Sequence, residues 1–190
     1  MQLRFGDHTI TCATENERIF RHDALRDAIY EQARQAGLSP VKEARSLISS
    51  SQSRPGDIFI PNWRGRQTAF DVAVTSPLSQ SALPRSAVTT GAAIDSMKSS
   101  KLNKHFRHCQ TNGISFVPLV VETLGGWDPD AVHFLQTFAK LSSSRSFSNP
   151  SLVVRHFFQR LSVVLQRANA ALIANRAPPP PPPHVIGYEF

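Results

Sequence analysis

From Arg21 onward, Leu25, Ile29, Ala33 and Ala36 recur at three- and four-residue intervals, the period of one apolar helix face. Gly37 followed by Ser39-Pro40 supplies the stop, so an amphipathic helix is predicted over 21–36. Val41 to Ile48 reads as a strand diluted by Lys42, Glu43 and Arg45. Asp57-Ile58-Phe59-Ile60 and Phe70-Asp71-Val72-Ala73-Val74 are rich in β-formers and flank a polar connection containing Asn62 and Gly65, which predicts two strands adjacent in a sheet. A Ser/Pro-rich connection follows Pro77, then a polar helix from about Val88 to Gln110 that ends at Asn112-Gly113. Phe116 to Thr123 is almost continuously apolar before Gly125-Gly126, as a strand buried on both faces would be. Asp128-Pro129 and Asn149-Pro150 each offer a side-chain cap followed by proline at the first helical position, and so start two further helices. The second carries a stripe of Val153, Phe157, Leu161, Val164, Leu165, Ala168 and Leu172, with Arg155, Arg160 and Arg167 largely off it.

The order helix, three strands, helix, strand is the skeleton of an α/β domain with a small mixed sheet, and 190 residues suffice for one such core and one site. Charge sharpens the picture: 21 Lys and Arg against 14 Asp and Glu leave a net +7, which favours a polyanionic partner such as nucleic acid. Two cysteines, Cys12 and Cys109, with no apolar leader, predict an intracellular chain without a disulfide framework. The longest apolar run, Phe116 to Val121, is far short of the ~20 residues of a membrane span, so no membrane partner is expected. Six prolines, Pro178 to Pro183, impose an extended tail that serves as a spacer or as the ligand of a proline-motif reader.

The acids are placed unusually, because Asp57 and Asp71 open or interrupt apolar strands. Side chains two apart share a strand face, so Asp57 points with Phe59 and Asp71 with Ala73. If the two strands align, both carboxylates meet at one end of the sheet, where a divalent cation or a lysine would hold them ionised. Mg²⁺ (or Mn²⁺) suits such a pair, taking one or two carboxylates together with waters and phosphate oxygens. The plain structural reading is that Asp57 caps the turn after Pro55-Gly56 and Asp71 is a partly exposed strand residue.

Arg54-Pro55-Gly56-Asp57-Ile58 and, after thirteen residues, Asp71-Val72-Ala73-Val74-Thr75-Ser76-Pro77-Leu78 resemble the PD and DVTVTSPL segments of the restriction-like endonuclease at the C-terminus of some non-LTR retrotransposon polyproteins. Arg21-His22-Asp23-Ala24-Leu25-Arg26-Asp27 is similar to the RHNxLRD helix that precedes that core. The pattern from Lys101 to Cys109, then Gly113 to Phe116, Pro118 and Glu122-Thr123-Leu124-Gly125-Gly126-Trp127, is similar to the segment that follows it. Gly6-Asp7-His8 with Cys12 resembles the second half of a Cys-Cys-His-Cys zinc knuckle, so the resemblance touches most of residues 6 to 127. It implies a PD-(D/E)xK restriction-endonuclease-like core with two additional C-terminal helices. The implied divisions are a poorly ordered knuckle remnant over 1–20, a nuclease-like core over 21–127, a helical extension over 128–176 and a polyproline tail over 177–190. The implied function is Mg²⁺-dependent nicking of DNA, with a nuclear destination.

In the resemblance Asp57 and Asp71 bind the metal, Lys101 or Lys104 on the following helix assists the water, and Glu43 and Glu122 are additional acids near the site. One of Asp23 and Asp27 is a further candidate ligand, although an ion-pair face with His22 and Arg26 is the plainer reading. Arg54, Trp63, Arg64, Arg66 and Lys104 are candidate DNA contacts, since a basic loop with an aromatic suits a non-specific backbone contact. The chain departs from the family pattern at three points, of which the second affects the turn more than the ligand. Ala73 fills the slot two residues after the second acid where the wider class has lysine; Pro-Gly-Asp replaces Pro-Ala-Asp or Pro-Asp; and His8 and Cys12 lack the upstream cysteines that tetrahedral zinc needs. No stable zinc is therefore expected, and the missing half predicts that Met1 lies inside a longer ancestral frame. No Gly-x-Ser-x-Gly or phosphate-cradling glycine loop occurs, so neither serine hydrolysis nor an organic cofactor is expected. The alternative is a catalytically inactive DNA-binding or protein-interaction remnant.

Overall fold

The computed structural model describes residues 15–45 and 55–175. Helix α1 spans Glu15–Gln35 and leads to β1, Val41–Lys42, then β2, Ile58–Trp63, and β3, Arg66–Thr75. A single-turn α2, Leu83–Ser86, precedes α3, Ala92–Thr111; β4 is Ile114–Glu122, and it is followed by α4, Pro129–Arg145, and α5, Pro150–Ala174. The strands form one mixed sheet in the order β1-β2-β3-β4, antiparallel except for β3 and β4. Those two run parallel because α3 carries the chain back between them, as a parallel pair requires.

Alternation along the strands divides the core into two sides. Ile58, Ile60, Phe70, Val72, Leu119 and Val121 pack in one cluster with Leu25 and Ile29 of α1, Leu135 and Phe138 of α4, and Leu161 and Leu165 of α5. The opposite face carries Phe59, Ala69, Cys109, Ile114 and Phe116, and beside them Ala73, Val120 and Ile94, all under α3. Among the described residues the result is a three-layer α/β arrangement, with α1, α4 and α5 on one face of the sheet and α3 on the other.

Local chemistry accounts for the boundaries. The Asp128 carboxylate accepts from the Ala131 N–H at 3.1 Å, and the Asn149 side chain accepts from Ser151 and Leu152, so both predicted caps hold. The β2–β3 turn is Arg64-Gly65, both at positive φ (51° and 83°), the geometry that a two-residue hairpin favours. Helix α1 begins at Glu15, six residues before the predicted start, so part of the stretch expected to be poorly ordered is helical. Residues 83–86 form the extra turn α2 inside the Ser/Pro-rich connection. The strand predicted over 41–48 is ordered only as Val41–Lys42, and its end at Ile48 lies outside the described residues. So do Gly6 to Cys12, Arg54 and the polyproline run. Among the described residues no helix is long and apolar enough to cross a membrane.

Candidate functional site

Strand register places the two aspartates. Ile58 faces Phe70 across the antiparallel pair, and the Asp57 N–H donates to the Phe70 carbonyl at 2.9 Å, so Asp57 lies opposite Asp71 at the end of the sheet away from the hairpin. Gly56 makes this approach possible: a Cβ there would stand 2.8 Å from the Phe70 carbonyl oxygen, a backbone atom that cannot yield. The glycine that departs from the Pro-Ala-Asp pattern is thus required by close packing at the turn. Asp57 Oδ2 accepts from the Val72 N–H at 2.7 Å, which clamps the carboxylate onto β3.

Each carboxylate faces a cation from a different helix. Lys101 Nζ, on α3, is 2.8 Å from Asp71 Oδ2, and His22 Nε2, on α1, is 3.0 Å from Asp57 Oδ2. Asp71 Oδ2 is fully buried and receives charge from the ammonium without an aligned hydrogen bond. Burial, and secondarily the neighbouring Asp57 charge, push the Asp71 carboxyl above the ordinary range, while Lys101 opposes the shift. The hydrogen bond to Asp57 pushes the His22 ring up to about 9 despite its desolvation, so the ring is an imidazolium at neutral pH. Its Nδ1 meets Asp23 at 3.1 Å.

The remaining acids of the motif around His22 are occupied by arginine. Arg26 reaches Asp23 at 2.9 Å, Asp27 at 2.9 Å and Glu43 at 2.7 Å, so the acids of the first helix act in ion pairs and Glu43 is the partner of Arg26. Glu43 nonetheless sits next to the pair, since its N–H donates to the Asp57 carbonyl at 2.8 Å and its φ of 48° bends the chain there. Burial raises the Glu122 carboxyl. A cleft of about 680 Å³ opens beside the site, lined by Arg18, His22, Glu43, Ala73, Ser76 and Lys101 among others. The side of the cleft rests on a polar tie: Arg21 donates to Asn169 of α5 at 3.0 Å, and Asn169 donates to the Thr123 carbonyl at 2.8 Å.

Three of the candidate DNA contacts stand elsewhere. Trp63 is only 8% exposed, held edge-on by Phe70 and Phe138 at 5.9 and 5.1 Å between ring centres, so it is a core side chain and not a platform for a base. The apolar surface of β2 and α4 outweighed the loop position that had suggested exposure. Arg64 lies over the Trp63 ring at 5.5 Å, and Arg66 opens β3 at the hairpin. Five residues at about 3.3 Å each put Arg66 roughly 17 Å from Asp71, so neither arginine touches a group bound at the carboxylates. Lys104, one turn beyond Lys101, is exposed and lines a further hollow with Arg85. Cys109 is fully buried, with burial raising its thiol to about 11.

No three His, Cys, Asp or Glu side chains converge as a metal-holding group among the described residues. The pair of aspartates still fits Mg²⁺ on its chemistry, because that ion keeps several waters and uses one or two carboxylates together with phosphate oxygens. Asp71 Oδ2, buried and met by the Lys101 ammonium at 2.8 Å, is already the atom of the pair on which positive charge is brought to bear. His22 was legible as part of a helical motif, but its contact with Asp57 was not, because the two are brought together only by packing of α1 against the sheet end. No model of a known protein family matches the chain, and no curated protein matches it.

Proposed function

We propose that the chain is a metal-dependent phosphodiesterase acting on DNA, a nicking endonuclease core of the PD-(D/E)xK type. The observation that carries this reading is the meeting of Asp57 and Asp71 across β2 and β3 with Lys101 2.8 Å from Asp71, beside a cationic cleft. Mg²⁺ or Mn²⁺, when bound by the two carboxylates, would supply Lewis acidity toward a phosphodiester and an acidified water. The residues themselves do the positioning. The Val72 N–H and His22 fix the orientation of Asp57, and the ammonium of Lys101 supports the charge on Asp71 from α3 in place of the lysine that Ala73 replaces. Arg18 stands at the cleft as a cation for the phosphate backbone.

A second reading, an inactive DNA-binding remnant, is favoured by one feature: His22 and Lys101 already supply one positive charge to each carboxylate without any metal. Nicking of supercoiled plasmid in Mg²⁺ and in Mn²⁺ separates the two. The active reading expects metal-dependent nicking that falls at least about a hundredfold in both Asp57→Ala and Asp71→Ala, the scale of losing a principal electrostatic group. Absence of nicking by the folded wild-type chain under either metal would leave the remnant.

A further inference from the structure

The cleft beside the carboxylates does not end there. A second hollow of about 250 Å³ shares Thr75, Ser79, Ser81 and Met97 with it, and a third of about 660 Å³ shares Ser96 and Ser100 with the second. Together they trace a continuous groove from His22 and Lys101 to Arg85 and Lys104. One wall is the turn after β3 with α2; the other is a single face of α3, where Ala93, Ser96, Ser100 and Asn103 fall at three- and four-residue spacing.

We propose that this groove holds one phosphodiester strand of nucleic acid, gripped by its backbone and not by its bases. The inference rests on the reading of the adjoining cleft as a phosphodiester site. Serine and threonine hydroxyls with arginine and lysine are the groups that contact phosphate and sugar without reading sequence. Arg18, Arg85 and Lys104 have no ion-pair partner among the described residues, whereas Lys98, on the same helix as Lys104, is held by Asp128 at 2.9 Å and Asp130 at 2.6 Å. One acid, Asp95, lies in the third hollow and leaves the balance there positive beside Arg85 and Lys104. No Phe, Tyr or Trp lines the three hollows, which removes the large stacking platform by which single-strand binders hold bases. Ala93 to Lys104 rises about 16 Å along α3 at about 1.5 Å per residue, the length of wall against which such a strand would lie. Walls on both sides admit a single backbone, while a duplex would have to present two.

The test is fluorescence anisotropy of the full chain with a labelled single-stranded oligonucleotide in EDTA, repeated from about 50 to 200 mM salt. The double variant Arg85→Glu/Lys104→Glu is expected to bind at least tenfold more weakly. Its log–log salt slope should be shallower by about 1.4, two contacts at about 0.7 each. Arg85→Lys/Lys104→Arg should restore both, and Arg64→Glu/Arg66→Glu, at the far hairpin, should leave both unchanged. Because the reversed residues are exposed, thermal melts matching wild type identify a binding loss as local. Wild-type affinity and slope in the charge-reversed variant would overturn the groove, as would a duplex bound as tightly as the single strand. If plasmid is never nicked yet charge reversal still abolishes binding, the nuclease reading falls and the groove stands; if nicking depends on both aspartates but charge reversal changes nothing, the groove alone falls.

Discussion

At His22 one imidazole faces two carboxylates, Asp57 through Nε2 and Asp23 through Nδ1, and both contacts favour its protonated form. Its folded value, raised to about 9, exceeds the unfolded value near 6.5, so the native state holds the extra proton between those limits. The contribution of this contact to stability is therefore complete below about pH 6.5 and is lost as pH rises through about 9. Histidine-resolved NMR titration should find one ring titrating near 9, and urea melts of His22→Ala should lack the wild-type decline over that window. Asp71 shifts in the same direction, but for a different reason. Burial and Asp57 disfavour its charge, so its contribution is favourable only at low pH and turns into a cost as pH rises through its elevated folded value. Asp71→Asn removes that cost while Lys101, 28% exposed, can turn to water. Without metal at neutral pH, a melt of Asp71→Asn should lie above wild type. A fall in melting temperature would mean that Asp71 is a structural ion-pair residue and nothing more.

Among the elements, α4 and α5 supply much of the main core. Both helices, in the stretch read as a helical extension over 128–176, cover the sheet face opposite α3. Leu135, Phe138, Phe157, Leu161 and Leu165 lie in the same cluster as Leu25, Ile58 and Phe70 and are at most 3% exposed. Each such side chain contributes about 2 kcal/mol on burial. Five of them match the whole net stability of an ordinary domain, about 5–15 kcal/mol. Asn169 adds a polar reason, since removing α5 deprives buried Arg21 and the Thr123 carbonyl of the same partner. A chain ending at Trp127 should therefore show no cooperative thermal transition by circular dichroism, and a sharp melt of that fragment would mean that the sheet folds without α4 and α5. The helix starts were readable because caps are local: Asp128 and Asn149 bond groups two or three residues away. The start of α1 was not, because the apolar period of this helix begins only at Arg21, while the turn before it is carried by Glu15 to Phe20.

For the molecule as a whole, the α/β class, the two central strands, the buried strand β4 and the helices after it were determined by period, propensity and caps, all of which act within a few residues of sequence. The sequence likewise put Asp57 and Asp71 on strand faces shared with Phe59 and Ala73, because alternation along a strand is a local rule. Long-range packing decided the rest. It turned Trp63 inward, since a face shared with Phe70 and Phe138 outweighs a place beside a turn. It gave Glu43 to Arg26, set Arg64 and Arg66 at the end of the sheet remote from the carboxylates, and brought His22 and Lys101 onto them from opposite sides of the sheet. Those contacts join residues 17 to 35 apart in the chain, where periodicity carries no information and only the docking of α1 and α3 against a register already set by β2 and β3 selects the partner.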